Sequence, residues 1–282
     1  MMRRGVLVHL ILFCWMVSVS ASIGQGRPLT IAAASSLYPA FEDLSEAYRK
    51  KSGGEIVFVP GASGNLARQM EHGAPYDLLL SADEGWIRYL AERNLLVPGS
   101  MVIYASGRLA LVLSKHLPKK VWQEVLASNE QEKNSPPHKT VGRVELQMLK
   151  RKEIHFIALA NPSHAPYGIA AMEVLKNAGL WEFLHGGLVY GENVRQAYSF
   201  VESGNAEVGL VAESVAKAGR LKWYSLNNGQ SGILNQALGI ASHGQKVAAK
   251  AFVSLLFAPE GQAILRKSGF EPVEKTPLGG KR

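Results

Sequence analysis

Short apolar runs alternate with helix-patterned segments in two long stretches of this 282-residue chain, and that rhythm leaves few folds open. Residues 29–33, 55–59 and 77–80 read as strands, and residues 37–51, 63–72 and 84–93 as helices. Leu37, Phe41, Leu44, Ala47 and Tyr48 fall on one face of the first helix. A βαβαβα order implies a parallel sheet covered by helices, because a parallel connection must cross over one face of the sheet. The alternation resumes later, with strands at 155–159, 187–190, 206–211 and 221–226 and helices at 165–178, 193–202 and 213–218. Two apolar runs, 101–105 and 108–114, flank Ser106-Gly107 and carry the chain between the stretches. A strand at 236–242 returns to the first stretch, and helices at 247–257 and 259–267 close the chain. The expected fold class is α/β with two lobes, each a mostly parallel sheet flanked by helices, and a ligand cleft between them. Lobe 1 takes residues 28–107 and 233–275, lobe 2 takes residues 108–232, and residues 276–282 form a tail.

Residues 1–21 read as a cleaved signal peptide. Arg3 and Arg4 supply its positive start, residues 6–17 its apolar run, and Val19-Ser20-Ala21 the small residues of a cleavage site. The run is short for a membrane-spanning helix. Cys14 is the single cysteine and lies inside this segment, preceded by Ile11-Leu12-Phe13 rather than the small residues of a lipoprotein box. The mature chain therefore carries no disulfide, and a periplasmic location is expected. The chain has 31 Lys+Arg against 23 Asp+Glu, but the basic residues are spread out. Residues 115–152 read as a surface excursion: its basic piece, ending Lys150-Arg151-Lys152, has no interleaved aromatics, so no nucleic-acid partner is expected.

The chemistry concentrates where strands hand over to helices. Ala33-Ala34-Ser35-Ser36-Leu37 places two small hydroxyl residues at the first such junction. Pro60-Gly61-Ala62-Ser63-Gly64-Asn65 repeats the arrangement at the second. Each is open to two readings, a helix N-cap or a set of hydroxyls and free N–H groups aimed at an anion. Side by side after successive parallel strands, the two junctions favour the anion. Gly61 and Gly64 would let backbone approach it closely, and the Gly-Lys-Ser/Thr of a phosphate loop is missing. Asn161-Pro162-Ser163-His164-Ala165-Pro166-Tyr167-Gly168 and Glu192-Asn193-Val194-Arg195-Gln196 hold equivalent places in the second stretch. Tyr167 could donate its hydroxyl and Val194 its N–H; ordinary packing is the other reading for both.

Catalytic groups are sparse. The three aspartates are Asp43, Asp77 and Asp83, and Asp83 reads as a cap for the helix at Glu84. The mature histidines show no metal-ligand spacing, no Gly-x-Ser-x-Gly elbow is present, and His164 reads as a solvent-exposed loop residue near the cleft. No enzyme and no cofactor are expected.

In order along residues 28–272, these motifs resemble the molybdate-binding periplasmic proteins. The resemblance is carried by Ala-Ala-Ser-Ser-Leu at 33–37, Gly-Ala-Ser-Gly-Asn-Leu-Ala-Arg-Gln at 61–69 and Gly-Ala-Pro-Tyr-Asp-Leu-Leu-Leu-Ser-Ala-Asp at 73–83. Ala-Asn-Pro-Ser-His-Ala-Pro-Tyr-Gly at 160–168, Glu-Asn-Val-Arg-Gln-Ala at 192–197 and Gly-Leu-Val-Ala at 209–212 continue it. It implies the two-lobed periplasmic binding protein fold and a substrate-binding protein that delivers molybdate, and tungstate as well, to the membrane permease of an ABC transporter. It implies first-lobe contacts from Ser36 and Ser63, with Ser35 adjacent, and second-lobe contacts from Tyr167 and Val194. These would touch oxyanion oxygens and not the metal itself. Many members carry a ligand-contacting tyrosine where this chain has Ala212. One branch uses the tyrosine of an Ala-Pro-Tyr-Gly loop instead, and this chain has that loop, so the resemblance assigns the missing hydroxyl to Tyr167. A monomer is expected.

A dianion held without Lys or Arg needs many oriented neutral donors. Such a site disfavours protonated oxyanions, which bring a donor to donors, and separates sulfate from molybdate by size. A carrier of sulfate, thiosulfate or another oxyanion is the nearest alternative, and a secreted enzyme acting on an anionic metabolite a more distant one.

Overall fold

The computed structural model describes residues 27–118, 120–121, 140–141, 146–226 and 233–277. The signal segment 1–21, the tail from 278 and most of the 115–152 excursion lie outside the described residues.

Strand β1 (Leu29–Ala34) runs parallel to β2 (Ile56–Gly61) on one side and β3 (Leu78–Ser81) on the other. Its successive side chains feed two different cores, as the period-2 geometry of a strand requires. Ile31 and Ala33 pack with Leu44, Tyr48, Phe252 and Leu255, whereas Ala32 packs with Leu66, Met70, Ile87 and Leu90 on the other face. Helices α1 (Phe41–Ser52), α2 (Ser63–Glu71) and α3 (Gly85–Glu92) supply much of that cover. The helix expected over 37–51 is divided, because a 3₁₀ turn at Ser35–Ala40 precedes α1. Pro39 lies in that turn and has no N–H for a regular helical ladder.

The two apolar runs around Ser106-Gly107 form one unbroken strand, β4 (Val102–Leu113). Up to Arg108 it pairs antiparallel with β10 (Ile233–Ile240), and from Leu109 onward with β8 (Val208–Ala212). Its later residues also pair with β9 (Lys222–Leu226), to which β5 (Thr140–Val141) adds in parallel. β4 thus belongs to both halves of one mixed sheet, ordered β2-β1-β3-β10-β4-β8-β6-β7, with β6 (Ile157–Ala160) and β7 (Leu188–Gly191). β6 is parallel to both β7 and β8. Helices α4 (Pro166–Asn177), α5 (Trp181–Leu184), α6 (Val194–Glu202) and α7 (Glu213–Ala218) belong to this second half. The return strand β10 pairs with β3, and α8 (Lys246–Phe257) and α9 (Pro259–Lys267) follow it. A last strand, β11 (Glu271–Pro277), pairs with β4 where the sequence suggested only a lobe end and a tail. Its prolines, Pro272 and Pro277, suit an edge strand and mask its strand character in sequence.

Asp77 ties three parts of this frame together. Its buried carboxylate accepts from both terminal nitrogens of Arg27 at 2.8 and 2.7 Å, and from the Thr30 and Gln245 N–H groups at 2.8 Å each.

Candidate functional site

The carboxyl ends of β1, β2, β6 and β7 each lead into a helix start, and these starts converge on one small cavity. Ala34, Ser35 and Ser36 line it from the β1 junction, Gly61, Ala62 and Ser63 from the β2 junction, and Ala82 from the end of β3. Ala165, Pro166 and Tyr167 close it from the start of α4, and Asn193 and Val194 from the start of α6. All five residues singled out in the sequence therefore meet at one place. None of the lining residues carries a formal charge.

The four helix starts share an electrostatic feature. Neither the Ser35–Ala40 turn nor α2, α4 or α6 has an acidic residue in its first turn. Their positive dipole ends are left without the Asp or Glu that usually sits there. No side chain caps the 3₁₀ turn, α2 or α4. In α6 the Asn193 side chain accepts from the N–H groups of Arg195 and Gln196 at 3.0 and 3.3 Å. The Val194 N–H is the first-turn donor which that cap does not take.

The hydroxyls are arranged as donors. Ser63 is fully buried, and its Oγ accepts the Ala82 N–H at 3.0 Å, so its proton is free for another acceptor. Ser36 Oγ and Tyr167 Oη are buried and have no hydrogen-bond partner. Each such orphan costs about 1–3 kcal/mol unless something satisfies it. Burial pushes the Tyr167 phenol well above the usual tyrosine range, and the nearby Glu213 carboxylate adds to the rise. Ser36 and Gln236 pull the other way without completing a bond of normal geometry to the phenol oxygen. Tyr167 therefore keeps its proton at any physiological pH.

Contacts across the cavity hold the two sides together. The Gly64 N–H donates to the His164 carbonyl at 2.9 Å, and Ser214 Oγ donates to the Ser36 carbonyl at 2.8 Å. Asn65 Nδ2 donates to Glu192 Oε1, and the Arg195 guanidinium lies 3.4 Å from the centre of the Tyr38 ring. His164 is not the exposed residue that the sequence suggested. It is 8% exposed, with Nε2 2.9 Å from the Glu192 carbonyl and Nδ1 2.9 Å from Ser163 Oγ. Its ring braces two loops of one side, and only its carbonyl reaches across. Asp83 accepts the Trp86 N–H at 3.2 Å, the capping role expected of it, although α3 begins one residue later than Glu84.

Residues 29–271 match the bacterial extracellular solute-binding proteins. The chain belongs to that family. It is a family of binding proteins, not of enzymes. The chain is 31% identical over 247 residues to the molybdate-binding protein ModA of Rhodobacter capsulatus, covering 87% of this chain and 88% of that protein. Its fold is that of the periplasmic molybdate-binding protein of Azotobacter vinelandii, with a TM-score of 0.72 and 27% identity over 87% of this chain and 100% of that one. It is also similar to the substrate-binding domain of a putative molybdenum ABC transporter from Clostridium difficile, with a TM-score of 0.59 and 28% identity over 88% and 99% of the two chains.

Sequence reasoning missed several neighbours of the site. Gln236 on β10 and Gly107 on β4 lie beside the Tyr167 hydroxyl, and Ser214 on α7 holds the Ser36 carbonyl. None belongs to a strand-to-helix junction motif that faces the cavity. Only the sheet pairing of β4 with β10 and the packing of α7 on the first junction bring them there.

Proposed function

We propose that this protein captures molybdate, and tungstate with it, outside the cytoplasm and hands it to the membrane permease of an ABC transporter. The observation that carries this reading is the pair of buried, unpartnered hydroxyls, Ser36 Oγ and Tyr167 Oη, set among helix starts that lack first-turn carboxylates. A tetrahedral dianion satisfies both requirements at once: its oxygens accept the orphaned protons, and its charge complements the helix dipoles. The contacts are Ser36 and Ser63, with Ser35 adjacent, and Tyr167 and the Val194 N–H opposite, all to oxygens and none to the metal. The relatives named above, whose names state molybdate, support the choice of ion.

In this reading residues 28–107 and 233–275 form one lobe and residues 108–232 the other, with β4 crossing between them. Residues 1–21 direct export and are removed, so the mature protein works as a periplasmic monomer. Discrimination against sulfate comes from size. A cavity whose donors reach the larger ion leaves some bonds to sulfate long.

Calorimetric titration of the mature protein with molybdate, tungstate and sulfate tests the reading, with the retained ion identified by mass. One-to-one binding of the first two, and much weaker binding of sulfate, is the expected result. Retention of sulfate in preference to molybdate would make it a sulfate carrier, and no binding of any of the three would overturn the oxyanion site.

A further inference from the structure

Gly107 sits in the middle of β4, opposite Leu234 of β10 in the register. Its backbone is not among the left-handed positions of the chain, so the strand geometry itself accepts a side chain. Glycine in a strand interior weakens the strand and marks a place where something approaches closely. Here that neighbour is Tyr167. A Cβ on residue 107 would overlap the phenol oxygen and sit 3.0 Å from Gln236 Nε2, while the ring carbon bearing the hydroxyl would remain in ordinary contact at 3.4 Å.

Gln236 is fully buried and cannot turn easily. Its Nε2 donates to the Leu234 carbonyl at 3.0 Å and the Ala82 carbonyl at 3.3 Å. Tyr167 is 2% exposed and enters α4 immediately after Pro166, whose ring presets the first helical turn. The phenol therefore has little freedom to move aside.

We propose that Gly107 and Gln236 form a seat that positions the Tyr167 hydroxyl for oxyanion contact, Gly107 by leaving room for the phenol oxygen and Gln236 by standing beside it with its amide held in place. This rests on the oxyanion-binding reading above. Tyr167 reaches the cavity from the start of α4. Gly107 is then a positioning residue: a Cβ there closes the route by which this loop supplies a donor. The competing explanation is that Gly107 is a hinge glycine, since β4 changes partners between Arg108 and Leu109.

A double-mutant cycle on the mature protein separates the two. Gly107→Ala, Tyr167→Phe and the double variant are titrated calorimetrically with molybdate and melted without ligand. The seat requires that each single variant weaken binding about tenfold or more, and that the double lose no more than Tyr167→Phe alone. It also requires that the double recover the melting temperature lost in Gly107→Ala, because phenylalanine lacks the overlapping oxygen. Additive affinity losses, or a double that melts as low as Gly107→Ala, would overturn the seat and leave the hinge. If Gly107→Ala does not fold, a folded double with the affinity of Tyr167→Phe supports the seat, and a double that also fails to fold refutes it. If the wild type retains none of molybdate, tungstate or sulfate, the functional reading falls by itself, and recovery of melting temperature in the double still decides whether the seat exists.

Discussion

Ser63 Oγ accepts the Ala82 N–H at 3.0 Å, and this one bond decides what the serine offers to the cavity. The bond takes one acceptor lone pair and leaves the hydroxyl proton to donate elsewhere. Ser36 differs, because its buried Oγ has no partner. Both Ser63→Ala and Ser36→Ala should weaken molybdate binding by roughly tenfold or more, the scale of a hydrogen bond to a charged group. Only Ser63→Ala should lower the melting temperature of the free protein. It strands the buried Ala82 N–H at about 1–3 kcal/mol, and each kcal/mol is about 2–4 °C in a chain near this size. Ser36→Ala should melt at or above the wild-type temperature. Calorimetry and thermal melting of both variants check this, and equal melting shifts would contradict it.

Tyr167→Phe should likewise trade affinity for stability. It removes a buried, unpartnered hydroxyl, so the free protein should be no less stable while molybdate binding falls. Placing a tyrosine at the alternative position should not repair the loss. Ala212 is fully buried at the end of β8, and overpacking a filled core typically costs about 1–3 kcal/mol. Tyr167→Phe combined with Ala212→Tyr should therefore bind weakly and melt below Tyr167→Phe. Recovery of wild-type affinity in the combined variant would show that the two routes are interchangeable.

The sequence reveals local arrangements better than distant ones. The junctions at Ser35-Ser36 and Ser63 are legible because a strand, a small hydroxyl and a helix follow one another within a few residues, and the parallel pairing of β1 with β2 sets them side by side. Tyr167 and Val194 hold equivalent junctions on the other side, but there the pattern leaves ordinary packing open, and only the family resemblance singles them out; both line the cavity. Gln236 is not, because its relation to Tyr167 depends on an antiparallel strand returning from far along the chain. The unbroken β4 is obscured by Ser106-Gly107, which parts two apolar runs in the sequence but is held extended by ladders with β10 and β11. His164 reads as exposed because nothing nearby in sequence announces Glu192, whose carbonyl its ring meets.

Asp77 predicts a stability effect with a definite pH window. Burial alone would raise its pKa, but the Arg27 guanidinium and the N–H groups of Gln245 and Thr30 outweigh that and hold it below the usual aspartate value. A lowered folded pKa means stabilisation that is present above the unfolded pKa, near 3.9, and is lost as pH falls through the folded value. Asp77→Asn should therefore melt lower than wild type at pH 7. The gap should narrow as pH drops below about 4, where the unfolded aspartate takes up its proton. Melting curves from pH 7 to pH 3 test this, and a constant gap would assign the effect to hydrogen bonding alone.

Electrostatics separates the neutral-donor site from a basic anion patch. Ser35, Ser36, Ser63, Tyr167 and the Val194 N–H carry no formal charge, and none of the cavity-lining residues does. Burial and Glu213 hold the Tyr167 phenol well above its usual range, so its proton stays in place. Molybdate affinity should therefore be flat between about pH 6 and 8. Buried contacts are weakly screened, so moderate sodium chloride should change the affinity little, although the chain carries a net charge of +8. The dissociation constant is to be measured across salt at fixed pH and then across pH at fixed salt. A steep loss with salt would mean that exposed Lys or Arg side chains carry the binding, and would refute the neutral-donor site.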